Sequence, residues 1–341
     1  LFGELDRFAR RVLDPLCMRP EQPMALSGAL GEARTFGLLS GAEPSGLGPW
    51  EELERDEPPA TTLLVLEHLA RTNTAFAFAV HQRALAQAIA RKAGWSGDLA
   101  IACEGSTRMG RVSLARCLAG APLDEDDEAV LADVYAPDAT RVLPYDAAGL
   151  VVPVFAGGSL RWQWHEQLRV EARPAHGLDE LRTALVTPLG PPRATFEDDV
   201  TPFFAAHQLG LLAIGVGTVE RAHRLARRFA RDRRQGGAAI DHHPAVLALL
   251  AKTRAVLETT RAELASFGRL GVDALFRAMS FRAASGLADA AHAAMQVFGG
   301  LGYMRDTGLE KVTRDVNHLR AMAGTPPELA LIAAEGERLH D

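Results

Sequence analysis

The chain has 341 residues, a mass of 36.6 kDa, 48% hydrophobic and 23% charged residues. That length can bury a large core and suits two domains, or one elongated helical domain with an insert, while 31 glycines and 19 prolines are too few for a collagen-like or disordered chain. A formal net charge of -6 argues against nucleic-acid binding through bulk charge, and three unclustered cysteines (Cys17, Cys103, Cys117) exclude a disulfide scaffold or a Cys-rich zinc site.

The expected compartment is a reducing cytoplasm, with no basic-then-apolar leader following Leu1. Lysine occurs only at Lys92, Lys252 and Lys311, so arginine supplies nearly all the positive charge, as in a GC-rich coding background. The first third reads as helical. Leu5, Phe8, Val12, Leu13 and Leu16 share one face of a helix over 1–17, which Pro20 and Pro23 stop. A second helix is expected over 25–39, and two more over 61–93, joined near Thr72-Asn73-Thr74 and closed by Gly94.

The middle third changes texture. Residues 99–103, 129–135, 150–155, 160–164 and 168–171 form short apolar runs expected to be strands of a small antiparallel sheet or open barrel, with Gly157-Gly158 as a hairpin turn. Asp124 to Glu128 reads as a solvated loop, and Pro188, Pro191 and Pro192 as a linker. The last third predicts long helices over 196–231, 243–267, 272–298, 309–322 and 326–339, hence an antiparallel bundle. The apolar run 209–219 is about half the ~20 residues of a membrane span and reads as core. The expected division is 1–98 helical, 99–192 a shortened β domain and 193–341 a helical bundle.

Three features invite a chemical reading. Gly299-Gly300-Leu301-Gly302 follows a helix rather than a strand, so a helix C-cap is favoured over a nucleotide loop. Asp241-His242-His243 lacks metal-ligand spacing, and Asp241 is read as an N-cap; no metal is expected. The run Arg221, Arg224, Arg227, Arg228, Arg231, Arg233, Arg234 is either a solvated face near a helix C-terminus or a site for a phosphate-rich ligand.

The order of helices, β region and bundle, together with several motifs, resembles the acyl-CoA dehydrogenase family. Phe229-Ala230-Arg231-Asp232-Arg233-Arg234-Gln235-Gly236-Gly237, followed by Ile240 and His242, is similar to its "YAxxRxxFG…I…HQ" segment, and Gln296-Val297-Phe298-Gly299-Gly300-Leu301-Gly302-Tyr303 to its "QvfGGxGY". Glu310 with Arg314-Asp315 and Gly324-Thr325 match "vER…RD" and the end of "EGT", while the first third is similar in pattern only, around residues 69–73. The resemblance implies a mainly α fold with a small β domain and a C-terminal four-helix bundle, FAD, and an acyl-CoA or acyl-carrier thioester substrate. It assigns Arg233 to the FAD pyrophosphate of a neighbouring subunit, Gln296, Gly299 and Gly300 to the same cofactor across the interface, and Thr325 to FAD in the chain's own subunit.

The departures from the family pattern concern the chemistry. The family's general base is a Glu directly before Gly-Thr; here that position is Ala323, which retains only a backbone N–H as an oxyanion-type donor. In a second branch the Glu lies on the first bundle helix, and counting back from Arg233 places His207 there, an imidazole able to act as a base or serve a structural role. Of the flavin-facing "TEpxxGSD" only Cys103-Glu104-Gly105-Ser106 remains, the "nGxKxwIT" strand is not recognisable, and Gly236 replaces a Phe. Two functions follow from the resemblance: an FAD-dependent α,β-dehydrogenase of an acyl thioester with a non-standard base, or an inactive subunit that completes FAD sites in a heteromer with a full-length relative. A homo- or hetero-oligomer without nucleic acid or membrane span is expected either way.

Overall fold

The computed structural model describes residues 2–14, 26–39, 48–55, 57–97, 99–101, 108–143, 148–172, 177–181, 183–267, 274–323 and 326–338. Helix α1 (Phe2–Phe8) runs on through wider π-type turns to Leu13, burying Leu5, Phe8 and Leu13; α2 (Leu26–Phe36) and the single turn α3 (Glu52–Arg55) follow. Helices α4 (Ala60–Ala70) and α5 (Thr74–Lys92) meet at Asn73, whose side chain accepts the Phe76 N–H as an N-cap. This is the boundary that Thr72-Asn73-Thr74 predicts. Gly94 adopts φ +68, the left-handed conformation that ends a helix.

The middle region holds two small sheets. Strands β1 (Leu99–Ile101), β3 (Gly149–Ala156), β4 (Ser159–His165) and β7 (Ala194–Phe196) form one, in the order β1-β3-β4-β7. Strands β2 (Arg141–Leu143), β5 (Leu168–Ala172) and β6 (Ala184–Pro188) form the other, in the order β2-β6-β5. Every pairing is antiparallel except β1 with β3. Gly157 and Gly158, at φ +63 and +78, make the two-residue turn between β3 and β4.

Two expectations fail here for the same physical reason. Between β1 and β2 the chain forms helices α6 (Arg108–Leu118) and α7 (Glu125–Val134), so 129–135 is not a strand and 124–128 is not a loop. Asp124 caps α7 in a reciprocal capping box with Asp127, and three further acidic residues, Glu125, Asp126 and Glu128, occupy the first turn, where the helix dipole favours them. Leu131, Val134 and Tyr135 are buried at helical rather than alternating spacing. The proline-rich segment ends β6 and feeds β7, which includes Phe196; the long helix therefore starts five residues later than expected.

The bundle comprises α8 (Thr201–Asp232), α9 (Pro244–Ser266), α10 (Ala274–Val297), α11 (Leu309–Ala323) and α12 (Pro326–Arg338). By length and hydropathy α8 could cross a membrane, but 89% of its most apolar window is buried inside the protein, as expected of a core helix. It packs closely on the N-terminal helices: a Cβ at Gly217 would stand 2.1 Å from the Glu67 carbonyl of α4. Where sheet meets bundle, Trp162 of β4 packs against Phe203 and Phe204, and Tyr135 abuts Phe204 edge-on. All four are buried, so an aromatic cluster fills this seam.

Candidate functional site

Residues at the two ends of α8 carry different chemistry. At its C-terminal end the Phe229 ring stacks on Phe298, centroids 4.0 Å apart at 15°, tying the ends of α8 and α10 together. Arg233, one turn beyond Phe229, caps α8 in an extended conformation and opens the hairpin of β8 (Arg234–Gln235) and β9 (Ala238–Ala239). Gln296 is exposed two residues before Phe298. The fold thus brings Arg233, Gln296, Gly299 and Gly300 to one end of the bundle.

Gly299, at φ +57, follows the last residues of α10 as a left-handed C-cap, and Gly302 is needed for packing, since a Cβ there would lie 2.6 Å from the Met295 carbonyl. Gly300 differs: it has no positive φ, and open space surrounds the place where its Cβ would be. Arg231, Arg233 and Arg234 are exposed and have no ion-pair partner among the described residues. Exposed guanidiniums and a carboxamide beside an unobstructed backbone fit a pyrophosphate presented from outside. This donor set is compatible with the pyrophosphate of the FAD that the resemblance implies. Asp241 lies in a short 3-10 turn, and His243 occupies the α9 N-cap position without a side-chain bond, so Asp241 is not the cap. No group of three metal-ligating side chains converges among the described residues.

His207 lies near the other end of α8, about 39 Å from Arg233 at 1.5 Å per residue. It is buried, with its ring stacked on His81 of α5 at 5.5 Å and 12°. Gly210 permits the approach, because a Cβ there would fall 2.3 Å from the His81 ring. Trp50 Nε1–H donates to His81 Nδ1 at 2.9 Å. A tryptophan N–H can only donate, so the His81 proton sits on Nε2, 3.4 Å from His207 Nδ1. The Gln82 side-chain amide approaches the same His207 Nδ1 at 3.1 Å. Two donors converge on Nδ1, which places the His207 proton on Nε2 and engages the ring's basic lone pair inside the protein. The Nδ1 side of the ring is thereby held inside the protein.

Burial, reinforced by the nearby His207, holds the His81 imidazole well below its ordinary value. His165 and His223 are also held down, chiefly by burial; Arg141 adds to it at His165, while at His223 Glu220 opposes it and Arg227, Arg254 and Arg261 add to it. A folded state that keeps these rings neutral binds fewer protons than the unfolded chain. Stability is then fully present above about pH 6.5 and falls as the pH drops below it, by up to about 1.4 kcal/mol per pH unit for each fully neutral ring and less for His165 and His223, whose shifts are smaller. Urea midpoints should therefore decline between pH 7 and pH 5, before carboxylates titrate, and His81→Gln should flatten that slope. An unchanged slope would remove His81 from the account.

Ala323 is the last residue of α11, and Cys103 and Thr325 lie outside the described residues. The carbonyl of Met322, one residue earlier, accepts a hydrogen bond from Arg111 of α6 at 3.0 Å. Arg116 of the same helix pairs with Asp127 at 2.7 Å and lies 3.7 Å from Glu335 of α12. An inserted helix thus stands against the end of α11 where the resemblance places the base.

The motif residues Glu310, Arg314 and Asp315 turn out to bind parts of the chain together. Arg314 pairs with Glu310 and with Asp179, from the 177–181 loop. Lys311 Nζ contacts Asp315 Oδ2 at 2.6 Å and Glu180 Oε2 at 3.0 Å, all three side chains being at most 5% exposed. Asp315 Oδ1 accepts the N–H of Leu178, a non-glycine residue at φ +54, and the Asn73 amide reaches Glu180 at 3.4 Å. Burial pushes the Asp179 carboxyl up, but the Gly177 N–H and Arg314 outweigh it and hold it below the usual range.

Three solved structures share the fold over nearly their whole length. A glutaryl-coenzyme A dehydrogenase in complex with glutaryl-CoA has a TM-score of 0.73 and 15% identity, covering 98% of this chain and 93% of that one. PigA with FAD and proline has 0.74 and 17%, covering 100% and 97%. Butyryl-CoA dehydrogenase from Megasphaera elsdenii has 0.71 and 12%, covering 98% and 96%. The architecture is therefore that of acyl-CoA dehydrogenases. Residues 200–336 match the acyl-CoA dehydrogenase C-terminal domain family model, in keeping with the resemblance that the sequence motifs carry. No curated protein matches it by sequence.

Proposed function

We propose that this chain is a non-catalytic subunit of a flavin-dependent acyl-thioester oxidoreductase, lending Arg233 and Gln296 to the FAD site of a related, full-length subunit. The observation that carries this reading is the end of α11: Ala323 offers no carboxylate, and Arg111 of the inserted α6 binds the adjoining Met322 carbonyl. His207 does not replace the base, since its Nδ1 faces two donors. The alternative, an FAD-dependent α,β-dehydrogenase acting on an acyl thioester through His207, is favoured only by the presence of a titratable ring pair on α5 and α8.

An interface is also supported by exposed apolar groups beside the Arg233 end: Leu301 is 49%, Tyr303 67% and Met304 55% exposed. Light scattering at micromolar concentration should show a dimer or larger, and a monomer would remove the shared site. The visible spectrum tests the function. The isolated protein should carry substoichiometric flavin, and a complex with a full-length relative should carry it in full. Arg233→Ala should weaken flavin retention in that complex by about 1.5–3 kcal/mol, the scale of a charge-assisted hydrogen bond. Stoichiometric flavin in the isolated chain, unaffected by Arg233→Ala, would overturn the proposal.

A further inference from the structure

A second cluster of arginines lies away from the bundle end. Between α1, the C-terminal turn of α4 and the middle of α8 is an open cleft of about 360 Å³ lined by Asp6, Arg10, Asp14, Arg71, Arg221 and Arg224. Four guanidiniums from three elements face two carboxylates, in a protein of net charge -6. Two of the arginines are anchored: Arg71 pairs with Glu67, and Arg221 donates to the Thr72 carbonyl at 2.7 Å. Asp6 is already engaged by His68 Nε2 at 2.8 Å. Arg10 spends one N–H on the Asp6 carbonyl at 3.3 Å, and Arg224 has no acceptor among the described residues. Partial burial, with Arg71 and Arg221 nearby, pulls the Arg224 guanidinium below its ordinary value despite the opposing Glu220 and Asp6.

A solvated arginine face spreads its charges outward, each hydrated separately. Here the charges converge on a concavity, and two forks are fixed in advance by backbone and carboxylate acceptors while still lining it. Such an arrangement concentrates positive potential and presents preorganised N–H pairs. We infer that this cleft binds a soluble small molecule bearing a phosphate or diphosphate group, with Arg221 and Arg71 as its fixed floor and Arg10 and Arg224 as its closing donors. The inference is independent of the flavin site at the far end of α8: Arg233 lies nine residues, about 13 Å of helix rise, beyond Arg224.

The test uses the full chain and inorganic pyrophosphate. Thermal unfolding is followed against pyrophosphate concentration, with sodium chloride and succinate at matched ionic strength as references. A ligand that binds only the native state raises the melting temperature with concentration, following its affinity. The expected result is a rise with pyrophosphate that exceeds both references. Arg224→Ala and Arg10→Ala should each weaken the apparent affinity about tenfold or more. Arg193→Ala, at an exposed arginine outside both the cleft and the bundle end, should leave the response unchanged. Equal responses to pyrophosphate and chloride, or a response lost in Arg233→Ala and kept in Arg224→Ala, would overturn the inference. Binding to phosphatidate vesicles without any response to pyrophosphate would instead assign the cleft to a lipid surface and would also overturn it.

Discussion

Replacing Lys311 by methionine is expected to destabilise the protein by about 3–5 kcal/mol, the usual cost of removing one partner from a buried ionic cluster. Methionine keeps most of the lysine stem, so packing changes little and the loss isolates the ammonium. What remains is Asp315 and Glu180, buried together without a cation. The loss should be visible as a shift in the urea midpoint, against a total stability on the order of 5–15 kcal/mol. Glu180→Gln should cost less, because Lys311 keeps Asp315. In the intact protein burial lowers the Lys311 ammonium, but Asp315 and Glu180 more than offset this and leave it above its ordinary value. Its contribution is then fully present below about pH 10.5 and is lost only as the pH rises through the raised value. In Lys311→Met the two uncompensated carboxylates should prefer to be protonated, so its deficit should shrink towards about pH 4–5. A deficit independent of pH, or one below about 1 kcal/mol, would show that the cluster does not hold the 177–181 loop as the geometry indicates.

That cluster also marks the limit of what was legible in the sequence. Local signals fixed much of the fold: Asn73 as a cap, Gly157-Gly158 as a hairpin turn, and the apolar stripe of α8 are each decided within a few residues. The segment 124–135 is ambiguous in sequence because Leu131, Val134 and Tyr135 are consistent with strand or helix over so short a run. An acidic stretch likewise reads as loop until the helix that it caps is known. At the bundle end, Arg233, Gln296 and Gly300 lie in contiguous motifs, and the fold brings them together. Glu180 and Lys311 are 131 positions apart, so no motif could pair them. One trace was available: Lys311 is one of three lysines in an arginine-rich sequence and stands one helical turn before Asp315. A compact ammonium can meet two converging carboxylates in a pocket that a planar guanidinium does not suit. His207 was reachable by counting, but its role was not, because Trp50, His81 and Gln82 come from other elements.

The isolated chain is expected to show no α,β-dehydrogenation of ordinary acyl-CoAs above a level about 10²–10⁴-fold below that of a relative with a positioned carboxylate, the usual contribution of a general base. Two structural facts underlie this. The α11 terminus carries Ala323, and His207 directs its basic nitrogen at His81 and Gln82 rather than away from the core. Ala323→Glu alone should restore little. It places a carboxylate at a helix C-terminus, where the dipole disfavours negative charge, and the α6 contact through Arg111 remains beside it. Adding Arg111→Ala removes that contact, so the double variant is the one in which activity should first appear, provided that a full-length relative supplies its half of the flavin site. The measurement is anaerobic bleaching of the flavin by a panel of acyl-CoAs. Rapid bleaching by the unmodified homomer would sink the non-catalytic reading outright. Its disappearance in His207→Ala would then identify His207 as the base, and would require the His81–His207 stack to open during turnover.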